Sequence, residues 1–90
     1  MYRNEKLKKS ARDAPCVSCG IDNGTTVWAH SNELKHGKNT GIKAHDIFGA
    51  YLCYKCHSDF DQGRILDRKE WFRIMWEKSL IYACNNGFLV

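Results

Sequence analysis

Residues 16–19 read Cys-Val-Ser-Cys and residues 53–56 read Cys-Tyr-Lys-Cys, so one Cys-x-x-Cys pattern occurs twice with 33 residues between the copies. Two such pairs supply the four thiolates of a tetrahedral zinc site, in which each sulfur lies about 2.3 Å from the metal. Because a compact zinc ribbon has only roughly 15–20 residues between its pairs, we expect further structure in this interval. The pattern predicts one structural Zn²⁺, bound by Cys16, Cys19, Cys53 and Cys56.

Disulfides, a redox pair and haem attachment are the other uses that these cysteines could have. Disulfides need an oxidising compartment, whereas the N-terminus lacks the apolar stretch of a secretory signal, so we expect a cytoplasmic protein. A redox site is disfavoured because no βαβ pattern surrounds either pair. Residues 53–57 also fit the haem pattern Cys-x-x-Cys-His, but haem would leave residues 16–19 without a role, and we expect none.

Length and composition indicate one small folded domain, residues 1–90. The chain is 43% apolar and 27% charged, which excludes a disordered tail, and no apolar run is long enough for a transmembrane helix. Residues 1–12 hold five basic side chains and one acidic one, which accounts for the whole net charge of +4. A basic segment beside a neutral body is typical of nucleic-acid contact, and a solvated terminal helix has the same composition.

The pattern along the chain predicts an α+β fold in three parts. These are a basic N-terminal arm with a short helix (1–15), a zinc-stapled core (16–63) and a C-terminal helix (64–90). Within the core, a β-prone run leads to His30, a polar loop follows, and the chain returns through Tyr51 to a helix that opens at Cys56.

The C-terminal helix has predicted start and stop signals. Asp67 and Glu70 resemble a capping box, and residues 85–87 read Asn-Asn-Gly, which favours a C-terminal stop. Its predicted core face consists of Phe72, Met75, Trp76, Leu80, Ala83 and Cys84.

Ala29-His30 and the run G-I-K-x-x-D-x-F-G-A-x-x-C-x-x-C-H-x-x-x-D-x-G over residues 41–63 resemble a known family. The resemblance is to the HNH nucleases, also called His-Me finger or ββα-metal nucleases, and more narrowly to the small phage and prophage YbcO-like nucleases. It covers roughly residues 6–64. It implies a zinc-stapled ββα-metal domain, here with an added C-terminal helix.

The resemblance also implies roles for individual residues. His30 corresponds to the general base, and His57 to the ligand of a catalytic Mg²⁺ or Mn²⁺, while the zinc is structural. The chain departs from the pattern at Ala29, where many HNH nucleases have a metal-binding Asp, and it lacks the central Asn of the motif. Asp46 is the nearest candidate for the missing oxygen. Further candidates are His45, Asn32 and Asp61.

The function implied is metal-dependent hydrolysis of DNA phosphodiesters, in phage recombination or genome processing, with phage recombination or replication proteins as partners. The loop and the N-terminal arm would supply phosphate contacts through Lys6, Lys8, Lys9, Arg12, Lys35, Lys38 and Lys43. Two alternatives remain open. In the first, the protein is a catalytically silent zinc module that binds nucleic acid or a phage protein, and His30 and His57 have packed or capping roles. In the second, it is a purely structural assembly protein that uses the zinc for stability only. The sequence also does not decide whether the substrate is single-stranded, duplex or branched, or whether it is DNA or RNA.

Overall fold

The structure is a computed structural model that describes residues 2–39 and 41–89. Within these residues the chain forms an antiparallel two-stranded sheet surrounded by helices, which agrees with the α+β prediction. The elements in chain order are α1 (Glu5–Ser10), β1 (Val27–His30), β2 (Gly49–Leu52), α2 (Tyr54–Asp61) and α3 (Arg68–Asn85). Short 3-10 turns follow α1 and lie in the connection between the strands. In the described part of the chain, no helix has the length and apolar character to cross a membrane.

The two strands form a short hairpin whose ends carry different chemistry. Val27 pairs with Leu52 at one end, next to the second cysteine pair, and His30 pairs with Gly49 at the other end. Gly49 is required by a close approach, because a Cβ at this position would lie 2.4 Å from Nε1 of Trp28. At about 3.4 Å of rise per residue, the two ends of the hairpin are roughly 10 Å apart.

The basic N-terminal segment is part of the core, so it does not extend from the body as an arm. α1 begins where the side chain of Asn4 accepts a hydrogen bond from the Leu7 N–H, a standard N-cap. Leu7 is fully buried and belongs to the same apolar cluster as Trp28 and Tyr51. The short helix predicted in the N-terminal arm is therefore present, and its inner face packs against the sheet.

α2 and α3 pack beside β2 and complete the core. α2 begins at Tyr54, two residues before the predicted start, and places Phe60 against Phe72 of α3. Ser79 of α3 accepts a hydrogen bond from the Tyr51 N–H at 3.0 Å, and the Tyr51 carbonyl accepts one from the Val17 N–H. Both backbone polar groups of Tyr51 on the outer edge of β2 are thereby paired.

Two details predicted for α3 are wrong. Asp67 precedes the helix in a left-handed conformation (φ 53°), and its side chain makes no capping hydrogen bond, so no capping box forms. Cys84 is exposed because Ala83 and Ser79 occupy the buried positions at this end of the helix. The stop at residues 85–87 is confirmed, since the helix ends at Asn85.

The connection between the strands, residues 31–39 and 41–48, is a loop, as predicted, with one 3-10 turn, but some of its side chains are packed. His36 stacks on Phe48 at 4.1 Å between ring centroids. Its Nδ1 lies 2.6 Å from the Ser31 hydroxyl. Burial lowers the pKa of His36, more than the nearby Glu33 carboxylate raises it.

Candidate functional site

The four paired cysteines come together at one end of the hairpin, as the sequence predicted. Their sulfur atoms all lie within 4.8 Å of one another. Cys16 and Cys19 come from the turn before β1, while Cys53 and Cys56 lie at the start of α2. The Sγ atoms of Cys19 and Cys53 are 3.7 Å apart. Four sulfurs at 2.3 Å from a central Zn²⁺ would be separated by about 3.8 Å, so the cluster has the size of a zinc site.

The pKa values of two of the clustered thiols are shifted in opposite directions. Burial raises the pKa of Cys16, but hydrogen bonds from the backbone of Cys19, Cys53 and Ser18 outweigh it and lower the pKa to about 7. Burial, together with the neighbouring thiols, raises the pKa of Cys56 to about 12. Four thiolates therefore cannot coexist here near neutral pH unless a cation compensates their charge. The donor set fits structural zinc, and all five cysteines of the chain are free thiols.

His30 lies at the opposite end of the hairpin and is paired with a buried carboxylate. Its Nε2 is 2.7 Å from Oδ1 of Asp46, a residue 16 positions later in the chain. Because an ionised carboxylate only accepts hydrogen bonds, Nε2 is the donor and, in the neutral form of the imidazole, carries the proton. The lone pair of the ring is then on Nδ1.

Asp46 is fully buried, and all of its polar groups have partners. Oδ1 accepts from His30 and Arg3, and Oδ2 accepts from the Asn4 N–H at 2.6 Å. Its carbonyl accepts from the Trp28 indole at 2.7 Å, and its own N–H donates to the carbonyl of Tyr2. Burial raises the pKa of the carboxyl, but the hydrogen bonds from His30, Asn4 and Arg3 lower it below its usual range.

An open cleft of about 630 Å³ lies beside His30, between α1 and β1. Its basic lining residues are Lys8, Lys9, Arg12 and Lys43, and its acidic ones are Glu5 and Asp13. Lys8 is paired with Glu5 at 3.1 Å. The cleft therefore has a net positive lining next to an imidazole that is only slightly exposed.

His57 lies in α2 and pairs with Asp61 one turn later, with 3.2 Å between Nε2 and the carboxylate. Among residues 2–39 and 41–89, one group of three or more metal-ligating side chains has its ligand atoms within 4.8 Å of one another, and it is the group of four cysteines. His30, Asp46 and His57 therefore do not form a single three-ligand cluster. The structure brings His30 and Asp46 together, and it pairs His57 with Asp61 instead.

The other residues predicted to contact nucleic acid or metal are dispersed. Lys6 lines a second cleft with Lys9, Tyr82 and Phe88. Lys35 is exposed and lies 3.6 Å from Glu33, and Lys38 is half-buried in the connection. His45 accepts a hydrogen bond from the Tyr2 N–H, and Asn32 lines a pocket with Phe60 and Phe72.

Arg3 and Asn4 were not predicted as site residues, although they hold Asp46. Their hydrogen bonds to Asp46 span more than 40 residues of sequence. The basic charge of the N-terminus was the only signal in the sequence, and it favours a phosphate contact for Arg3.

Comparison of the chain with protein-family models, with curated proteins and with solved structures finds no match.

Proposed function

We propose that this protein is a metal-dependent DNA endonuclease of the HNH type, a zinc-stapled ββα-metal domain with an added C-terminal helix. The observation that carries the proposal is the hydrogen bond between His30 and the buried carboxylate of Asp46 beside a basic cleft. The order of β1, β2 and α2 and the resemblance over residues 6–64 point in the same direction.

In the proposed reaction His30 is the general base. Nδ1 takes a proton from a water molecule as the water oxygen forms a bond to phosphorus and the bond to the leaving 3′ oxygen breaks. Asp46 orients the ring and keeps the proton on Nε2, a role that its burial suits better than that of a ligand to a hydrated ion. This assignment gives Asp46 the orienting role that the missing motif Asn would have.

The catalytic divalent ion is assigned to His57, with Asp61 as the nearest carboxylate. Two protein ligands suffice for Mg²⁺, which commonly keeps several waters and takes further oxygens from substrate phosphates. A divalent ion held by His57 and Asp61 would polarise the phosphate and stabilise charge on the leaving oxygen. The zinc in the cysteine cluster is structural in this proposal, because four thiolates leave no open coordination position.

The cleft beside His30 is the proposed path of the DNA backbone. Lys9, Arg12 and Lys43 are exposed cations of its lining, so they can contact phosphates without leaving a buried position. Such contacts give affinity and register without reading the base sequence.

A second candidate is a catalytically silent zinc module that binds nucleic acid or a phage protein through the same cleft. It is favoured by one observation, namely that His57 and the His30–Asp46 pair do not share a three-ligand cluster. The two candidates differ in whether the protein breaks phosphodiester bonds.

The proposal is tested by incubating the zinc-loaded protein with plasmid and with branched DNA in Mg²⁺, in Mn²⁺ or in EDTA. We expect cleavage in Mg²⁺ or Mn²⁺ and none in EDTA. Zinc content is measured after each incubation, so that lost activity in EDTA can be attributed to the catalytic ion and not to unfolding. Binding without cleavage in any metal would contradict the endonuclease and support the silent module.

A further inference from the structure

We infer that the N-terminal segment Tyr2–Asn4 is a positioning element of the site, in which Arg3 and Asn4 hold the Asp46 carboxylate and thereby orient His30. The inference rests on the proposed function for the role of His30 as a base. The contacts themselves come from the N-terminal residues and do not involve the zinc cluster.

Arg3 binds three acceptors of the segment that carries Asp46. Nη1 donates to the Ala44 carbonyl at 2.6 Å and to Oδ1 of Asp46 at 3.0 Å, while Nη2 donates to the Lys43 carbonyl at 3.0 Å. A guanidinium has five donors in a rigid planar fork, so it can bind two carbonyls and a carboxylate at once. Arg3 therefore holds both the backbone of this segment and the carboxylate at its end.

Asn4 connects the carboxylate to the core through α1. Its backbone N–H donates to Oδ2 of Asp46, and its side chain caps α1 by accepting from the Leu7 N–H at 3.0 Å. Leu7 is fully buried in the cluster formed with Trp28 and Tyr51. The position of Asp46 is thus tied to a packed helix.

Tyr2 sets the register between the two segments. Its carbonyl accepts from the Asp46 N–H at 3.0 Å, and its N–H donates to Nδ1 of His45 at 2.8 Å. Because Tyr2 both donates to and accepts from this segment, a shift of Tyr2–Asn4 by one residue would remove several of the hydrogen bonds to Asp46 at once.

A phosphate contact is the role that the positive charge of Arg3 would otherwise suggest. The side chain is 39% exposed, but its guanidinium is bonded to the 43–46 segment, and the basic lining of the cleft beside His30 comes from other residues. A phosphate contact and a positioning role have different kinetic consequences. Removing a phosphate contact raises KM and lowers the salt dependence of binding, whereas removing a positioning group lowers kcat.

The first experiment compares the cleavage kinetics of wild type, Arg3→Met and Arg3→Lys. Lys78→Met is the control, since it removes one charge from an exposed position on α3. We expect kcat to fall by up to about 100-fold in Arg3→Met, with KM unchanged, because small displacements of a catalytic group have effects of this size. The kcat of Arg3→Lys should lie between those of wild type and Arg3→Met, since one ammonium group cannot reach all three acceptors. Raised KM with unchanged kcat would overturn the inference.

The second experiment does not depend on cleavage. Long-range ¹H–¹⁵N NMR spectra of the zinc-loaded protein at neutral pH report which imidazole nitrogen of His30 carries the proton. We expect the Nε2–H form in wild type and in Lys78→Met, and a lower fraction of it in Arg3→Met. If Arg3→Met does not retain zinc and fold, Arg3→Lys is measured in its place.

The two experiments separate the inference from the proposed function. A wild-type protein that cleaves no DNA would end the endonuclease proposal, while the NMR comparison would still test the positioning of His30. An unchanged tautomer fraction in the Arg3 variants would overturn the positioning role, whether or not the protein is a nuclease.

Discussion

The two ends of the hairpin are held together in different ways. At the Leu52 end, four thiols converge within 4.8 Å and need a cation to ionise together. At the His30 end, Asp46 is held by hydrogen bonds from the protein itself. The comparison shows that one end has the donor set of a structural zinc site, while the other holds a histidine and a carboxylate in a defined geometry.

The largest expected effect is at the cysteine end. Cys53→Ser should abolish zinc binding and unfold the domain, because structural zinc contributes apparent binding energies of about 10–16 kcal/mol. This matches or exceeds the total stability of about 5–15 kcal/mol that is typical of a domain. Zinc content by elemental analysis and thermal unfolding by circular dichroism check the prediction.

Cys84→Ser is the matched control, since Cys84 is exposed and lies outside the cluster. It should leave both zinc content and melting temperature unchanged. Soluble, folded wild-type protein without zinc would contradict the structural role of the metal.

At the His30 end, Asp46→Asn should destabilise the protein without changing its zinc content. The amide keeps the shape of the side chain but has no charge. Its NH₂ group would face another donor in either orientation, either the Asn4 N–H or the His30 and Arg3 groups that now bind Oδ1. We expect a loss of about 1–3 kcal/mol in urea unfolding, the usual cost of an unsatisfied buried polar group.

Asp61→Asn tests the same substitution at an exposed carboxylate. Asp61 pairs with His57 on the surface of α2, where such pairs contribute about 0–1 kcal/mol. Equal losses of unfolding free energy in the two variants would show that the buried network around Asp46 contributes no more to stability than an exposed ion pair.

His57→Ala should lower the cleavage rate by weakening the divalent ion, so raising Mn²⁺ should partly restore activity. Loss of a general base typically costs about 10²–10⁴ in rate and does not respond to added metal. Rates are measured over a Mn²⁺ titration for His57→Ala and, as the comparison, for His30→Ala. Equal rescue of the two variants would remove the distinction between base and metal ligand.

The smallest expected effect concerns the cleft. Replacing Lys9, Arg12 and Lys43 by Gln should reduce the slope of log K against log salt by about 0.9 for each duplex phosphate that the protein no longer neutralises. Lys78→Gln serves as the control for net charge. A slope that falls for Lys35→Gln, but not for the cleft variants, would place the DNA on another face.

The cysteine end could be predicted from sequence because its signal is local. Each Cys-x-x-Cys pair is readable within four residues, and zinc chemistry then requires the pairs to meet. The strand leading to His30 and the stop after Asn85 were predicted for the same reason, from short patterns of propensity and turn residues.

The His30 end could be predicted only in part, since its contacts are distant in sequence. Asp46 was singled out as a candidate, but nothing local indicates that Arg3 and Asn4 bind it across more than 40 residues. The capping box at Asp67 failed for a different reason, because the backbone enters α3 in a left-handed conformation that keeps the side chain from the first-turn N–H groups.

The most direct test of the account is the cleavage rate of His30→Ala relative to wild type, with zinc content, folding and DNA binding measured on the same samples. The account predicts a rate lower by about 10²–10⁴, with zinc, fold and binding nearly unchanged, because the general base is lost at the end of the hairpin that does not hold the zinc. Wild-type activity in His30→Ala would contradict the proposed mechanism.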